Sequence, residues 1–468
     1  MNSEVSPEVL HWTEFFSWSD LGASMLKKRY AVCGLSTRAI YHFALPILGD
    51  IRKGGNDFSD SCELVGILDF DRVRMEEFVT KTNKKIATYG PGEMARMVQE
   101  TGASTVLVGS PDYLHCEHIV AALEAGCDVV VEKPMVISSA ETRRVREAEA
   151  RTGHHVTVAF NYRYALQCQA IKRMIVAGKI GKITSMEFIY NLDTLHGSSY
   201  FYRWNRERAK SGGLNIHKCC HHFDLASWFI GDFPEEVFAF GKLNYFGAEG
   251  ALRPRDSSDA PLDRVTEKEK CPVFQKHYST RHKAGESSVS TGWDTLLDLS
   301  MNQQYPVDRP RYLYDAEIDV EDTYSVVARY ANGASLSYSC NFCTPWEGFV
   351  LGINGTKGRI EAEHRSNPDP TGLTFNREKH RKLTLLSLFG GSENIEIPEV
   401  PGGHDGADPI MQKDIFTEVS ENSRELGLVA GSREGGVAVA MGEAVWLSIR
   451  DKRPIQIDAS LRPANDIS

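Results

Sequence analysis

Lys133, His217 and His221 are the side chains of this chain whose types and spacing could act together on a hydroxyl group. Lys133 stands in Glu132-Lys133-Pro134, directly after the apolar run Asp-Val-Val-Val at 128–131. A short β-branched run of this kind predicts a strand buried on both faces of a parallel sheet, and ligands collect at the carboxyl ends of such strands. A lysine there can hold a substrate oxygen by a charge-assisted hydrogen bond and stabilise an alkoxide as it develops. His217 and His221 are four apart in a stretch, 214–230, that predicts one amphipathic helix, so they stack on one face and one can orient or relay a proton to the other. On this reading His221 is the general base that takes a hydroxyl proton while hydride leaves the same carbon, and Lys133 steadies the oxygen. The same spacing also suits a metal ion, with His222, Asp408 or His404 to complete a ligand set, and it suits histidines that only pack; the metal-free relay is the expectation taken forward. His222, about 100° further round the helix, and Asp224 are expected to pack.

A second group of residues has the chemistry of a dinucleotide site. Gly34-Leu-Ser-Thr-Arg-Ala39 lies between a strand-like and a helix-like run, with one of the three glycines of the usual fingerprint. Ser36 in place of the second glycine could hydrogen-bond a phosphate, Ala39 still permits close helix packing, and Thr37 and Arg38 share the turn. Asp69 ends the next strand-like run, where a carboxylate can accept from both ribose hydroxyls and would repel a 2′-phosphate. NAD is therefore expected over NADP, with Arg72 and Arg74 close behind leaving NADP open.

The elements that must position these groups follow from periodicity. Apolar runs at 29–34, 63–68, 105–108 and 128–131 alternate with helical stretches at 37–48, 73–81 and 114–125, the last closed by Gly126, which predicts a doubly wound parallel sheet. Beyond Phe160 the pattern changes. Helices are predicted at 165–177, 214–230, 413–420 and 434–449, and alternating strands at 182–190, 235–243, 323–330, 334–341, 349–354 and 358–363, with Asn332-Gly333 as a hairpin turn. The expected fold class is thus α/β: an N-terminal lead (1–28), a dinucleotide-binding Rossmann domain (29–160), and a C-terminal α+β domain (161–460) with a large open, mostly antiparallel sheet. Residues 247–290, rich in charge, Ser, Pro and Gly, predict an exposed insertion.

Composition sets outer limits. The chain has 468 residues and a formal net charge of −10 with no Lys/Arg block, which argues against nucleic acid or an anionic membrane as a partner. No apolar run approaches the roughly 18 residues of a spanning helix, and the start lacks a signal-peptide pattern, so a cytoplasmic location is expected. Ten cysteines in a chain this long are expected to be structural rather than a disulfide framework; Cys340 and Cys343 have CxxC spacing but no second pair to complete a zinc site.

Six motifs in order carry a more specific signal: Ser110-Pro-Asp-Tyr-Leu-His115, Ala121-Ala-Leu-Glu-Ala-Gly126, Glu132-Lys-Pro134, Phe160-Asn-Tyr-Arg163, Gly178-Lys-Ile-Gly181 and Asn354-Gly-Thr-Lys-Gly358. Together they resemble the Gfo/Idh/MocA oxidoreductase family of sugar and inositol dehydrogenases, over roughly residues 27–450. The resemblance implies hydride transfer with NAD(P) on a carbohydrate or polyol, cofactor contacts from Ser110, Pro111, His115, Glu132 and Lys133, and a homo-dimer or tetramer formed through the open sheet. It also places Tyr162 and Arg163 near nicotinamide and substrate. Arg203, Trp204 and the 402–408 loop with His404 are candidate substrate groups, since an aromatic plane with fixed polar groups suits a sugar ring. One departure stands out: His217 occupies the place where the family usually has Asp, as in a branch with a His-Lys-x-x-His-His-Phe-Asp run. Two other readings accompany the dehydrogenase: a redox-neutral elimination through a transient ketone with tightly held NAD, and a non-catalytic NAD-binding regulator.

Overall fold

Short runs of β-branched and apolar residues build the first sheet: β1 (Lys28–Cys33), β2 (Cys62–Leu68), β3 (Ala87–Tyr89), β4 (Thr105–Val108), β5 (Asp128–Val131) and β6 (Val156–Val158). The second sheet uses longer, alternating strands: β7 (Ile183–Asp193), β8 (Pro234–Lys242), β9 (Thr323–Tyr330), β10 (Ser335–Thr344), β11 (Glu347–Gly355), β12 (Gly358–Ser366), β13 (Lys379–Ser387) and β14 (Ser392–Asn394). Two two-residue strands, β15 (Ala430–Gly431) and β16 (Ile455–Gln456), complete the set. The computed structural model describes residues 27–50, 56–277, 311–366, 379–401 and 404–462. The expected N-terminal lead falls almost wholly outside these, as do residues 278–290 of the predicted insertion.

The first sheet runs β15-β6-β5-β4-β1-β2-β3, parallel from β6 to β3. Its order reverses between β1 and β4, so the carboxyl ends of these two strands form the crevice where ligands settle in such sheets. There the two turns touch: Gly34 has φ +91°, and a Cβ on it would lie 2.4 Å from the Ser110 amide nitrogen. Only glycine fits that combination of backbone angle and contact. The second sheet runs β14-β13-β12-β11-β7-β10-β9-β8-β16 and is antiparallel except for β7 against β10. Buried and exposed side chains alternate along β9 and β10, so one face carries the core.

The C-terminal part of the chain returns to the first sheet. β15 adds to β6 in antiparallel register, and the 20-residue helix Ser432–Asp451 follows. Gly442 of this helix meets the segment that bears His217: the Asn215 side-chain amide donates to the Gly442 carbonyl at 2.8 Å, and a Cβ on Gly442 would lie 2.5 Å from the Asn215 carbonyl oxygen.

Two expectations need correction. The single helix over 214–230 is two, Leu214–His217 and Cys220–Ile230. The His221 N–H bonds to the Lys218 carbonyl (3.3 Å), and the carbonyl of His217, released from the helical ladder, accepts from Lys133 Nζ (3.1 Å). His217 and His221 therefore do not share one regular helix face. The helix over 37–48 contains a π turn, Ile40–Ala44. Pro46 has no N–H to give to the His42 carbonyl, which accepts from Gln412 Nε2 instead. The described part of the 247–290 insertion is largely exposed, as expected, with Val265 69% exposed, and it is anchored by buried Cys271, Val273 and Phe274 on the short helices Arg264–Lys270 and Pro272–His277. Helices of six or seven residues are too short for periodicity to reveal. Among the described residues no helix is long and apolar enough to cross a membrane.

The contact at Gly442 gives a prediction. Gly442→Ala forces the long helix off the Asn215 segment, so chemical denaturation should show a loss of about 1–3 kcal/mol, the usual cost of overpacking. An unchanged unfolding midpoint would refute this close contact.

Candidate active site

One cavity of about 480 Å³ lies where the carboxyl ends of β1, β4 and β5 face the second domain. Its floor is the pair of turns that touch at Gly34. Ser36, Thr37 and Arg38 line it from the first turn, and Gly109, Ser110 and Pro111 from the second. Ser36 Oγ accepts from the Ala39 N–H (3.3 Å), which fixes the start of the helix, and buried Ala39 keeps the two turns close: a Cβ on Gly109 would come 2.6 Å from the Ala39 Cβ. This small-residue floor leaves room for a dinucleotide backbone and fits the group expected there.

Arg38 is held from both domains. Its Nε donates to Glu132 (2.9 Å) and its Nη2 to Asp408 (2.9 Å). Asp408 is 2% exposed and also accepts from Asn161 Nδ2 (2.8 Å) and bonds to His404 Nδ1 (2.7 Å). Burial alone would raise its pKa, but Arg38, His404 and His42 hold it well below the usual carboxylate range. His115 ties the two strand ends together, with Nε2 bonded to the Ser110 carbonyl (2.7 Å) and Nδ1 to the Pro134 carbonyl (2.8 Å). It is a clamp in the cavity wall, and Glu132, also in the wall, holds Arg38.

Asp69 is placed differently from the expectation. It is 2% exposed and does not line the cavity, because its two oxygens accept from the Leu35 N–H (2.6 Å) and the Asp71 N–H (2.8 Å). It braces the Gly34 turn from behind, and the preference for NAD over NADP no longer rests on it.

On the opposite wall stand the groups with acid–base chemistry. Lys133, on the loop after β5, donates to the His217 carbonyl, and burial lowers its pKa. His217 Nδ1 lies 2.5 Å from Asp112 Oδ2, and Asn205 Nδ2 lies 3.2 Å from His217 Nε2. With the Nδ1 proton on the Asp112 side, Nε2 is the acceptor for Asn205. Burial pushes Asp112 up to about 7, opposed by the charges of His115 and Lys133. Burial, then Lys133, Arg203 and Lys218, depress the basicity of His217 well below the ordinary range. His221 stacks on Tyr162, ring centroids 4.3 Å apart and planes 13° from parallel. Its Nδ1 is sealed in without a partner, which leaves Nε2 for chemistry in the cavity the ring lines. Burial and the nearby Lys133 and Lys218 keep this imidazole neutral far below its usual pKa.

Of the expected substrate groups, Tyr162, Arg203, Trp204 and His404 all line the cavity. Gly402 and Gly403 of the same loop lie outside the described residues. Arg163 does not line it. It is 4% exposed, makes a bidentate pair with Asp224 (2.6 and 2.8 Å) and donates to the Gly427 carbonyl. The expected contact with substrate is replaced by a structural ion pair, because the side chain leaves Tyr162 on the far side of its 3₁₀ turn, Asn161–Tyr164. The site gains residues not singled out from sequence, namely Asp112, Asn205, Lys218, Tyr200 and Glu347. Asp112 lay inside a quoted motif and Lys218 inside the His-Lys-x-x-His-His-Phe-Asp run; nothing local in the sequence marks Asn205 or Glu347.

The expected alternative of a metal on His217 and His221 finds other partners: His217 on Asp112, His221 on Tyr162 and His404 on Asp408. The set at ligand spacing among the described residues is instead Cys219, His222 and Cys340, fully buried, with ligand atoms within 4.8 Å of one another.

The two-domain arrangement and its motifs have counterparts in known proteins. A family model described as an oxidoreductase family NAD-binding Rossmann fold matches residues 28–160, and one described as an oxidoreductase family C-terminal alpha/beta domain matches residues 172–457. The chain belongs to the Gfo/Idh/MocA family of oxidoreductases. Its first domain is an NAD-binding domain, and the enzyme is of the dehydrogenase type that acts on CH–OH groups. YteT of Bacillus subtilis, named as an oxidoreductase, is 38% identical over 432 residues, 92% of this chain and 97% of that protein. Inositol 2-dehydrogenase of Streptomyces avermitilis is 30% identical over 171 residues, 36% of this chain and 43% of that protein. Among solved structures, levoglucosan dehydrogenase with NADH and levoglucosan superposes with a TM-score of 0.59 at 16% identity, over 92% of this chain and 99% of that one. Aldose-aldose oxidoreductase of Caulobacter crescentus gives 0.58 at 15% identity, over 92% and 100%. At these identities the solved structures show a shared Gfo/Idh/MocA fold.

Arg163 offers a test that separates a fold role from a site role. Arg163→Leu leaves Asp224 buried without its counter-ion, and a stability loss of about 3–5 kcal/mol is expected. The Arg163→Lys enzyme, which keeps the charge, should retain the wild-type KM; a raised KM with unchanged stability would return Arg163 to the substrate site.

Proposed function

We propose that the enzyme transfers hydride between NAD and a secondary hydroxyl of a sugar, glycoside or cyclitol, forming or reducing a keto group. The observation that carries this reading is the meeting of Lys133 and His221 in one cavity, between the small-residue floor of the NAD-binding domain and walls built from Tyr162, Tyr200 and Trp204. Aromatic walls with fixed polar groups suit a polyhydroxylated ring. The Gly34–Ala39 turn with Ser36 and Thr37, and the Ser110-Pro111 turn, would hold NAD, which would supply the hydride acceptor.

The remaining chemistry belongs to side chains of this chain. Lys133, its acidity increased by burial, donates to the substrate oxygen and stabilises the negative charge that develops as the C–H bond breaks. His221, neutral and open at Nε2, takes the hydroxyl proton, and its plane is fixed by the stack on Tyr162. The phenol of Tyr162 is in turn held by Lys218 Nζ (3.0 Å) and Tyr190 OH (2.9 Å). His217 and Asp112 form a hydrogen-bonded pair next to Lys133 and take the place of the usual family carboxylate, so that the acid of the pair comes from the NAD-binding domain.

Two outcomes follow. Lys133→Met should lower kcat by about 10²–10⁴-fold while NAD binding survives; turnover near wild type would remove the lysine from the mechanism. Product analysis beside the NADH absorbance distinguishes net oxidation from redox-neutral turnover. Because Asp112 titrates at about 7, it is an acid below that pH and a carboxylate able to orient the His217 Nδ1 proton above it. For oxidation, kcat/KM should therefore rise as pH increases through about 7 in the wild type, and this limb should vanish in Asp112→Asn. An identical profile in the variant would show that the pair does not govern the reaction.

A further inference from the structure

Carboxylates are unevenly shared among the cations of the cavity. Its walls include four Lys or Arg side chains (Arg38, Lys133, Arg203 and Lys218) and three acids (Asp112, Glu132 and Glu347), and Arg38 is paired in addition with Asp408 behind the wall. The acids are engaged elsewhere. Glu132 pairs with Arg38, Asp112 with His217, and Glu347 bonds to His196 Nδ1 at 2.8 Å. Lys133, Arg203 and Lys218 have no carboxylate within ion-pair distance among the described residues.

Two of these cations belong to the second domain, away from the floor where a dinucleotide would lie. Lys218 is 4% exposed and its Nζ bonds to the Tyr162 hydroxyl, lying 5.2–5.3 Å from the centres of the Tyr162 and Tyr190 rings. Burial disfavours its charge, but the surrounding tyrosine oxygens and Glu347 more than offset this, so it stays protonated. Among the described residues Arg203 has one side-chain hydrogen bond, from Nη2 to Ser199 Oγ (3.2 Å), and its buried Nε has none. A partly buried guanidinium and a buried ammonium in one cavity, neither with a carboxylate at ion-pair distance among the described residues, are costly for a protein standing alone. The cost is recovered when a ligand brings an anion to them.

Resting on the dehydrogenase reading above, we infer that the substrate is an acidic sugar, a uronate or uronoside, whose carboxylate is bound by Arg203 and Lys218. A carboxylate suits the site on two counts. Its planar pair of oxygens matches the guanidinium fork, and its charge supplies the counter-ion that neither Arg203 nor Lys218 finds among the described residues.

The experiment compares D-glucuronate, D-galacturonate and their methyl glycosides with D-glucose, D-galactose and D-glucose 6-phosphate. NADH formation gives kcat/KM, and calorimetric titration of NAD-loaded enzyme gives affinity. At least one uronate is expected to exceed its neutral sugar by about tenfold or more in both, about the effect of one charge-assisted hydrogen bond. In Arg203→Gln that ratio should fall towards one, with Arg203→Lys partly restoring it and NAD affinity retained in both as the check on folding. Should Arg203→Gln fail that check, Lys218→Met provides the same measurement from the other cation. Neutral sugars equal to or better than uronates, a preference for the phosphate, or a ratio unmoved by either variant would overturn the inference. The two readings fail separately: NADH from neutral sugars without uronate preference removes only the acidic substrate, whereas selective uronate binding without oxidation of any sugar removes only the dehydrogenase.

Discussion

The hydrogen bond from Lys133 Nζ to the His217 carbonyl is the link on which the site depends. It can form only because the helix breaks after His217, and the break in turn separates His217 from His221 so that each turns to a different partner. One carbonyl thus joins a strand end of the first domain to the histidine segment of the second. The Asp112–His217 pair crosses the same boundary within a few ångströms, so the acid–base groups are assembled from two separately folded layers. Any change in domain packing is felt directly in their geometry, which is the condition for holding reacting groups in alignment.

A second crossing lies on the other side of the cavity. Arg38 is clamped by Glu132 from its own domain and Asp408 from the other, and Asp408 is itself saturated by Asn161 and His404. Placing a carboxylate at 2% exposure would cost several kcal/mol without such partners. Because every partner is present, the network fixes the cofactor turn against the loop that brings His404 into the cavity. Arg163 with Asp224 does comparable work deeper in the second domain, away from the chemistry. The three clamps explain why a site built largely on turns and short helices can be rigid.

The legible part of the fold was the part whose signal is local. β4 and β5 are continuous apolar runs with residues 105–108 and 128–131 in strand exactly where pattern and length require. The strands of the second sheet showed themselves by alternation, though their ends extend further, as β7 reaches Asp193. What periodicity missed depends on hydrogen bonds to distant residues. The break at Lys218 needs Lys133 as a competing donor, and the π turn needs Gln412 to satisfy the His42 carbonyl. The short helices after residue 263 are ordered by a cap and by contacts with Tyr312 and Tyr314, remote in sequence. Likewise Asp69 and Arg163 have the right chemistry for ligands, but burial commits them to the backbone and to Asp224.

Sequence alone determined the two-domain plan, the NAD-binding turn, and Lys133 and His221 as cavity residues, because strand ends, glycine turns and residue types are encoded within a few positions. Tertiary structure alone decided that His217 is paired with Asp112, that Arg38 bridges the domains, and that Arg203 and Lys218 enter one cavity with no carboxylate at ion-pair distance among the described residues. The physical reason is range: a backbone period is set by neighbours in the chain, whereas the charge balance of a buried site is the sum over groups that only folding brings within a few ångströms.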